Sequence, residues 1–276
     1  MRWFFSFIVL SMVLSSAPVA AVLANSPIPS SLPYEVVTTS GEHALREWER
    51  LRDEGDGWPV IVGGDEDLQR LAEDRETAAL DTEQALAAAE ALTHPGSLEA
   101  HWSGLEESTR EILVDRGLET PATIKARERE RRRTDEDVLN APWPTDVAAT
   151  QGPYSVSDLL EDRFLDTVHI VVLPSMDPTE APAHLGLGDW NGNPPAQHHV
   201  AAFRSWRERY GAVPVVIQSD TIEMRVSRRP ETREEAMALA TEMYRYNEDI
   251  ILQGDGCVPC LAATLMVSDW WYFWWD

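Results

Sequence analysis

The spacing of apolar and polar residues predicts short strands alternating with helices in the first part of the chain. Residues 34–39 predict a strand, and residues 58–62 predict a second, buried strand that is stopped by a Gly-Gly pair. Each strand precedes a segment with apolar residues at helical spacing, and Thr39 with Glu42 forms a capping box for the first helix. The residues expected on the buried faces of these two helices are Leu45, Trp48, Leu51, Leu68 and Leu71. This β-α-β-α order indicates a small α/β unit.

The middle of the chain has the composition of helices followed by a connector. Residues 76–118 are rich in Ala, Leu and Glu, which favours helix with a break at Pro95 and Gly96. Residues 127–133 form a dense basic run, which predicts a solvated helix face paired with nearby carboxylates rather than a nucleic-acid surface. Residues 140–153 contain three prolines and little periodicity, and we interpret them as a linker.

After residue 154 the pattern predicts a strand, a helix, a strand pair and two further helices before an aromatic end. The predicted strands are residues 168–173, 213–218 and 221–227, and Ser219 with Asp220 joins the last two as a hairpin. Polar residues alternate with apolar ones on the second strand of this hairpin, so one of its faces is expected to be solvated. The predicted inward residues are Val200, Phe203, Trp206 and Tyr210 on one helix, and Ala236, Leu239, Ala240 and Met243 on the next, which the capping box of Thr232 and Glu235 opens.

These elements predict an α/β (α+β) fold. A mixed β-sheet packed with helices is preceded by a smaller α/β-helical N-terminal region, and 276 residues suffice for a sizeable core. The predicted divisions are a signal peptide at residues 1–24, a linker at 25–33, the N-terminal region at 34–139, a second linker at 140–153 and the C-terminal mixed-sheet domain at 154–276.

The first 24 residues have the three-part pattern of a secretory signal. Arg2 precedes an apolar run over residues 3–14, and small or aliphatic residues then lead to Ala24. This pattern predicts an exported protein, in the periplasm or outside the cell, without a stable membrane span once the signal is removed. An uncleaved membrane anchor is the alternative, because apolar character persists for roughly the 20 residues that a bilayer needs.

The formal net charge of −24 limits the partners that the protein can bind. Such a charge repels phosphate backbones and anionic membrane surfaces, so nucleic acid is not an expected partner. The expected partner is a protein or a small molecule of unknown identity. The negative charge could serve solubility alone, or it could attract a cationic partner.

The chain has two cysteines, Cys257 and Cys260, separated by Val258 and Pro259. With Pro259 in the first turn of a helix, the two Cα atoms come within disulfide reach. A structural disulfide, a thiol–disulfide oxidoreductase pair activated by the helix N-terminus, and unpaired or metal-bound thiols all remain open. Only 16 residues follow Cys260, which leaves no room for the strands and helix of a thioredoxin fold.

His199 is the candidate general base of a hydrolase-type enzyme, acting with a carboxylate from Glu223 or Asp249. His198 and His199 diverge by about 100° on a helix, so they do not easily share a metal ion. Residues 189–193 resemble the start of a calcium loop but lack its Gly and its final Glu. The sequence contains no phosphate-binding loop, dinucleotide fingerprint or serine elbow. We therefore predict no metal and no cofactor.

The end of the chain carries a pattern that resembles a known family. The residues of this pattern are Trp190-Asn191, Pro194-Pro195, His199, Arg204, Trp206, Tyr210-Gly211-Ala212, Asp220 to Glu223, Arg233 to Ala236, Asp249-Ile250, Gln253-Gly254 and the ending Trp271 to Asp276. They resemble the C-terminal domain called domain of unknown function 4253, over about residues 184–276. The resemblance implies a C-terminal domain and carries no catalytic residue with it.

Two departures from the family pattern concern cysteine. Members often have Cys where this chain has Asn193 and Asn247, and they usually lack a pair corresponding to Cys257 and Cys260. Loss of unpaired thiols and gain of a close pair suit an oxidising compartment.

The sequence favours a binding or interaction module over an enzyme, because catalytic motifs are absent and a Gly/Pro-rich loop lies between ordered elements. The predicted groove lies near the Trp190-Asn191 loop. In the aromatic tail, residues 271, 273 and 275 would face one side of a strand and residues 270, 272 and 274 the other, so one set is expected in the core and the other in a groove. The candidate binding residues are Trp190, Asn191, His199, Glu223, Asp249 and Gln253.

Overall fold

Strands from both halves of the chain form one mixed sheet in the computed structural model, which describes residues 32–158 and 160–276. The predicted signal peptide at 1–24 and residues 25–31 of the first linker lie outside the described residues. The strands are β1 (Glu35–Thr39), β2 (Trp58–Gly63), β3 (Ser157–Asp158), β4 (Arg163–Phe164), β5 (Val168–Leu173), β6 (Val213–Ile217), β7 (Thr221–Arg225) and β8 (Trp270–Trp274).

Helices cover this sheet and extend beyond it. They are α1 (Gly41–Glu54), α2 (Asp65–Thr77), α3 (Thr82–Ala89), α4 (Gly96–Asp115), α5 (Pro121–Leu139), α6 (Ala181–Leu185), α7 (Ala196–Tyr210), α8 (Arg233–Tyr246) and α9 (Val258–Leu265). A 3₁₀ turn, Pro178–Glu180, leads into α6, and a π-helical turn, Ile250–Asp255, leads towards α9.

The strand order is β1-β5-β2-β6-β7-β8, with β3 and β4 forming a separate two-stranded ribbon. Strand β2 is antiparallel to β5 and parallel to β6, and the other neighbours in the large sheet are antiparallel. The predicted mixed α/β fold is therefore confirmed. The sheet joins the two predicted regions, since β2 from residues 34–139 lies between two strands of residues 154–276. The boundary at 140–153 stays a prediction.

Most predicted elements occur at their predicted places because their signals are local. The buried strands β2 and β5 match the apolar runs, and β6 with β7 forms the predicted hairpin. The basic run lies on α5 and pairs with carboxylates as expected: Arg127 contacts Glu119, and Arg131 lies 3.6 Å from Glu248.

Three local predictions are wrong, one of them in part. Thr232 caps α8 by accepting from the Glu235 N–H, but the Glu235 carboxylate accepts from the Glu231 N–H, so the second capping box is incomplete. Helix α1 is capped at Ser40 without a side-chain cap hydrogen bond, because the Ser40 hydroxyl contacts His43 Nδ1 at 3.0 Å instead, so Thr39 and Glu42 form no capping box. The supposedly solvated face of β7 is buried at Glu223, of which only 1% is exposed. The backbone N–H groups of Tyr154 and Ser155 donate hydrogen bonds to this carboxylate and cover it. These two residues directly follow the predicted linker, and we call residues 140–155 the connector.

The core beneath β8 consists of stacked and edge-to-face aromatic rings. Phe273 stacks on Trp206 of α7 with ring centroids 5.3 Å apart, and Tyr246 of α8 meets both rings edge to face. Trp271 and Trp275 are buried on the same face of the strand. Burial of one of the two sets is therefore confirmed; it is the odd-numbered set, and it packs β8 against α7 and α8.

Candidate functional site

The open edge of β8 borders two adjoining pockets, which together we call the β8 cleft. The aromatic pocket has a volume of about 390 Å³, and the acidic pocket has a volume of about 210 Å³. Asp249 and Gln253 line both pockets. The aromatic pocket is lined by Thr150, Tyr154, Met243, Ile250, Gly254, Asp255, Leu261, Thr264, Leu265 and all five residues of β8. The acidic pocket is lined by Asn191, Gly192, Glu248, Trp275 and Asp276.

The even-numbered residues of β8 supply the aromatic wall, as their alternation with the buried set requires. Trp270 and Trp274 are half-buried, and Tyr272 is 39% exposed. The Tyr154 ring meets Tyr272 edge to face at 5.9 Å. Gly152 lies so close to the Trp270 ring that a Cβ atom there would be 2.7 Å from it, so the connector needs Gly at this point.

Asn247 ends α8 and shapes the floor of the cleft. Its side-chain amide donates to the Trp274 carbonyl at 2.8 Å, and its Oδ1 accepts from the backbone N–H of Asp249 at 2.9 Å. The π-helical turn therefore starts at a fixed place beside the strand. Gln253 on this turn donates to Asp249 Oδ1 at 2.9 Å.

Carboxylates dominate the polar part of the cleft. Asp249, Asp255, Glu248 and Asp276 line it, and none of the described residues that line either pocket is Lys or Arg. Asp255 is exposed as a residue, yet desolvation by the surrounding chain raises the pKa of its carboxyl group to about 6. Near neutral pH the cleft is therefore negatively charged next to a wall of aromatic rings, which is an environment that favours organic cations.

His199 does not reach the cleft. It is fully buried, its Nε2 lies 2.8 Å from Asn193 Oδ1, and its Nδ1 contacts the Tyr246 hydroxyl. Since the Asn193 amide donates to the Ser219 carbonyl, the imidazole donates from Nε2 and accepts at Nδ1. Burial, aided by His198, lowers the pKa of His199 to about 3, so the ring is neutral. This sealed position weighs against the hydrolase hypothesis.

Glu223 bonds to groups other than His199 and serves as an anchor. Its carboxylate accepts hydrogen bonds from the backbone N–H groups of Tyr154 and Ser155, at 2.7 and 2.8 Å, and from the Ser155 hydroxyl at 2.7 Å. Burial raises the pKa of Glu223, while these three donors counteract the rise. Glu223 thus ties the connector that carries Tyr154 to the sheet.

The Trp190-Asn191 loop contributes one side of the acidic pocket. Asn193 N–H donates to the Trp190 carbonyl at 2.7 Å, which closes a tight turn with Asn191 exposed at its tip. Trp190 packs against the core instead of opening into a pocket. The structure therefore brings Asn191, Asp249 and Gln253 together and leaves Trp190, His199 and Glu223 in supporting positions.

Cys257 and Cys260 form a disulfide at the start of α9, and no described cysteine is free. Cys257 is buried, and its sulfur accepts a hydrogen bond from the backbone N–H of Cys260. The disulfide follows the π-helical turn and closes the first turn of α9.

A wider surface depression, with a volume of about 820 Å³, lies between α4, α5 and α8 and shares Gly192 and Glu248 with the acidic pocket. Each of its three described arginines is paired with a carboxylate: Arg245 lies 2.6 Å from Glu99, Arg131 lies 3.6 Å from Glu248, and Arg127 contacts Glu119. This charge balance leaves it without a preference for ligand charge. We therefore place the candidate site in the β8 cleft.

The described residues offer no evident metal site or membrane span. His101 and His198 have ring centroids 4.9 Å apart, but no set of three or more His, Cys, Asp or Glu in the described part of the chain is placed to hold an ion. Burial, followed by His101 and His94, lowers the pKa of His198 to about 4. Within residues 32–158 and 160–276, no helix has the length and apolar character needed to cross a bilayer.

Sequence reasoning missed Tyr154, Asp255 and Asp276 as members of the site. Asp276 N–H donates to Asp249 Oδ2 at 3.3 Å, so the last residue of the chain closes the acidic pocket. The alternation along β8 predicted the two sets of aromatic residues, and the structure decided that the even-numbered set is the one exposed to the groove. Nothing local distinguishes Asp255 from the other acidic residues of this chain.

Residues 169–276 match the family model described as Domain of unknown function (DUF4253). The match covers the C-terminal domain, including most of β5 and the whole β8 cleft except the connector residues Thr150 and Tyr154. The comparisons with curated proteins and with solved structures found no match.

Proposed function

We propose that this protein is an exported binding module that holds a cationic, partly apolar ligand in the β8 cleft. The main observation in support of this proposal is that an aromatic wall, formed by Trp270, Tyr272 and Trp274, lies beside the carboxylates of Asp249 and Asp255. A mostly apolar pocket with a few polar groups is the usual form of a ligand site. Aromatic faces and carboxylates both attract organic cations, so the two features select the same ligand.

The charge of the whole chain supports the same ligand class. A net charge of −24 attracts cations over distances of about a Debye length and repels anions. None of the described residues that line the two pockets is Lys or Arg, although Glu248 of the acidic pocket lies 3.6 Å from Arg131.

Calorimetric titration with phenethylamine, an aromatic ammonium compound, tests this proposal. We expect measurable binding at pH 7.5 and none for phenylacetate, which has the same ring and the opposite charge. Asp255→Asn should weaken phenethylamine binding by about fivefold. This factor corresponds to the loss of about 1 kcal/mol, the usual contribution of one partly solvated charge pair.

Asp53→Asn is the matched control, since it makes the same change of charge on α1, where Asp53 pairs with Arg52 and lines neither pocket. It should leave the affinity unchanged. Equal binding of phenethylamine and phenylacetate, or equal effects of the two substitutions, would contradict a charge-selective cleft.

Export is part of the proposal and is supported by the disulfide, since such bonds persist in oxidising compartments. Maleimide labelling of thiols in fractionated cells tests it. Cys257 and Cys260 should be unreactive, and the protein should be found outside the cytosol. Cytosolic protein with two reactive thiols would contradict it.

A further inference from the structure

Strand β8 is an edge strand whose outer side borders the cleft. Val226 N–H donates to the Asp269 carbonyl and Trp275 N–H donates to the Asp220 carbonyl, so the odd-numbered residues direct their backbone groups towards β7. In an antiparallel sheet the N–H and C=O of one residue point the same way. The even-numbered residues, Trp270, Tyr272 and Trp274, therefore direct theirs away from β7.

Most of these outward backbone groups have no hydrogen-bond partner among the described residues. The Trp274 carbonyl accepts from the Asn247 amide at 2.8 Å. The N–H groups of Trp270, Tyr272 and Trp274 and the carbonyls of Trp270 and Tyr272 have no partner in the described part of the chain. All five residues of β8 line the aromatic pocket, so the strand that carries this row of donors and acceptors borders it.

Natural edge strands normally carry features that prevent pairing with another chain, such as Lys, Pro or inward charges. The sequence Trp-Trp-Tyr-Phe-Trp of β8 contains none of these. Its open edge instead faces a pocket with acidic groups at one end, where Asp249 and Asp276 lie near Trp274. An open edge inside a pocket is the arrangement by which extended peptides are recognised through strand addition.

We propose that the ligand of the β8 cleft is an extended peptide segment that adds a strand to the open edge of β8 and places a Lys or Arg side chain near Asp249. This inference rests on the proposed function, because it identifies the ligand class of the same cleft. The peptide backbone would exchange hydrogen bonds with Trp270 and Tyr272, and its alternate side chains would contact the aromatic wall. The acidic rim excludes an acidic peptide and favours a basic one.

Titration of the full chain with the peptide acetyl-Lys-Val-Lys-Val-Lys-amide and two methylated forms tests strand addition. One form carries N-methyl groups on both valines, and the other carries one on the central lysine. In a paired strand only alternate N–H groups face β8, so one form should bind at least about tenfold more weakly than the parent and the other should bind nearly as well. Equal affinities of all three peptides would overturn strand pairing.

A pair of variants at Tyr272 tests the same point from the protein side. Tyr272→Pro removes an outward N–H and leaves the hydrogen bonds to β7 in place, which an edge strand tolerates. Tyr272→Ala removes the ring and keeps the N–H. If both fold, as judged by circular dichroism, the Pro variant should bind the parent peptide several-fold more weakly than the Ala variant; equal affinities would contradict pairing at this edge.

The phenethylamine titration separates the two proposals. Binding of phenethylamine without binding of the parent peptide overturns the strand-addition inference and leaves the cationic cleft in place. Failure of both ligands to bind overturns the proposed function and the inference that rests on it.

Discussion

Glu242 is a buried carboxylate that its neighbours keep charged. Its side chain is 10% exposed, its Oε1 accepts from Trp206 Nε1 at 2.6 Å and lies 3.1 Å from His94 Nε2, and it also contacts Arg209. Burial alone would raise the pKa of Glu242, but His94 and Arg209 outweigh burial and lower it to about 2. The folded state therefore favours the charged form of this side chain.

Glu242→Gln should lower the free energy of unfolding at pH 7 by about 2 kcal/mol, because hydrogen bonds to a charged group are lost. The pKa in the folded state, about 2, lies below the ordinary value of 4.5, so this stabilisation is fully present above about pH 4.5 and is lost as the pH falls towards 2. Urea unfolding at several pH values measures the difference between the two proteins.

Glu54→Gln, at an exposed residue paired with Arg50, is the control and should change stability by less than about 0.5 kcal/mol. A difference between the wild type and Glu242→Gln that stays constant from pH 7 to pH 2.5 would refute the lowered pKa.

At the scale of elements, strand β8 divides its residues between core and cleft. Phe273 is fully buried and stacks on Trp206, whereas its neighbour Tyr272 is 39% exposed and lines the aromatic pocket. The same strand thus supplies both the packing that orders the sheet edge and the surface that we assign to ligand. The Asn247 side chain links this strand to the start of the π-helical turn, through the Trp274 carbonyl and the Asp249 N–H.

This division predicts unequal effects of truncating adjacent residues. Phe273→Ala should lower the free energy of unfolding by about 3–5 kcal/mol, the usual cost of removing a buried aromatic ring. Tyr272→Ala should cost about 1 kcal/mol or less and should reduce ligand affinity instead. Chemical denaturation together with phenethylamine titration measures both quantities. Similar losses of stability in the two variants would show that the assignment of faces is wrong.

At the scale of the whole molecule, the sheet depends on a strand from outside the family match. Strand β2 pairs with β5 on one side and β6 on the other, while the matched residues 169–276 contain most of β5 and all of β6, β7 and β8. Without β2 the backbone edges of β5 and β6 would lose their partners in the middle of the sheet. The matched region therefore depends on the N-terminal region for a central strand.

A fragment of residues 154–276 should accordingly fail to unfold cooperatively on heating, although its sequence has the composition of a globular domain. A fragment of residues 32–276, which keeps β1 and β2, is the matched control and should give a single sharp transition by circular dichroism. A cooperative transition in the shorter fragment would establish an independent C-terminal domain and would contradict this dependence.

The sequence by itself determined the elements of this protein and the two faces of β8. Apolar runs, turn residues and helical spacing act within a few positions, so β2, β5, α7, α8 and the alternation of residues 270–275 were predictable. The family resemblance over the C-terminal residues was also visible in the sequence, and the family match confirms it.

Only the tertiary structure decided which candidates share a site. Contacts between residues far apart in the chain placed His199 against Tyr246 and made Glu223 an anchor for Tyr154 and Ser155. Two further pairings are also long-range: β2 lies between β5 and β6, and the Asp276 N–H bonds to the Asp249 carboxylate. The physical reason is that strand order and burial depend on packing across the whole chain, which no local spacing of residues encodes.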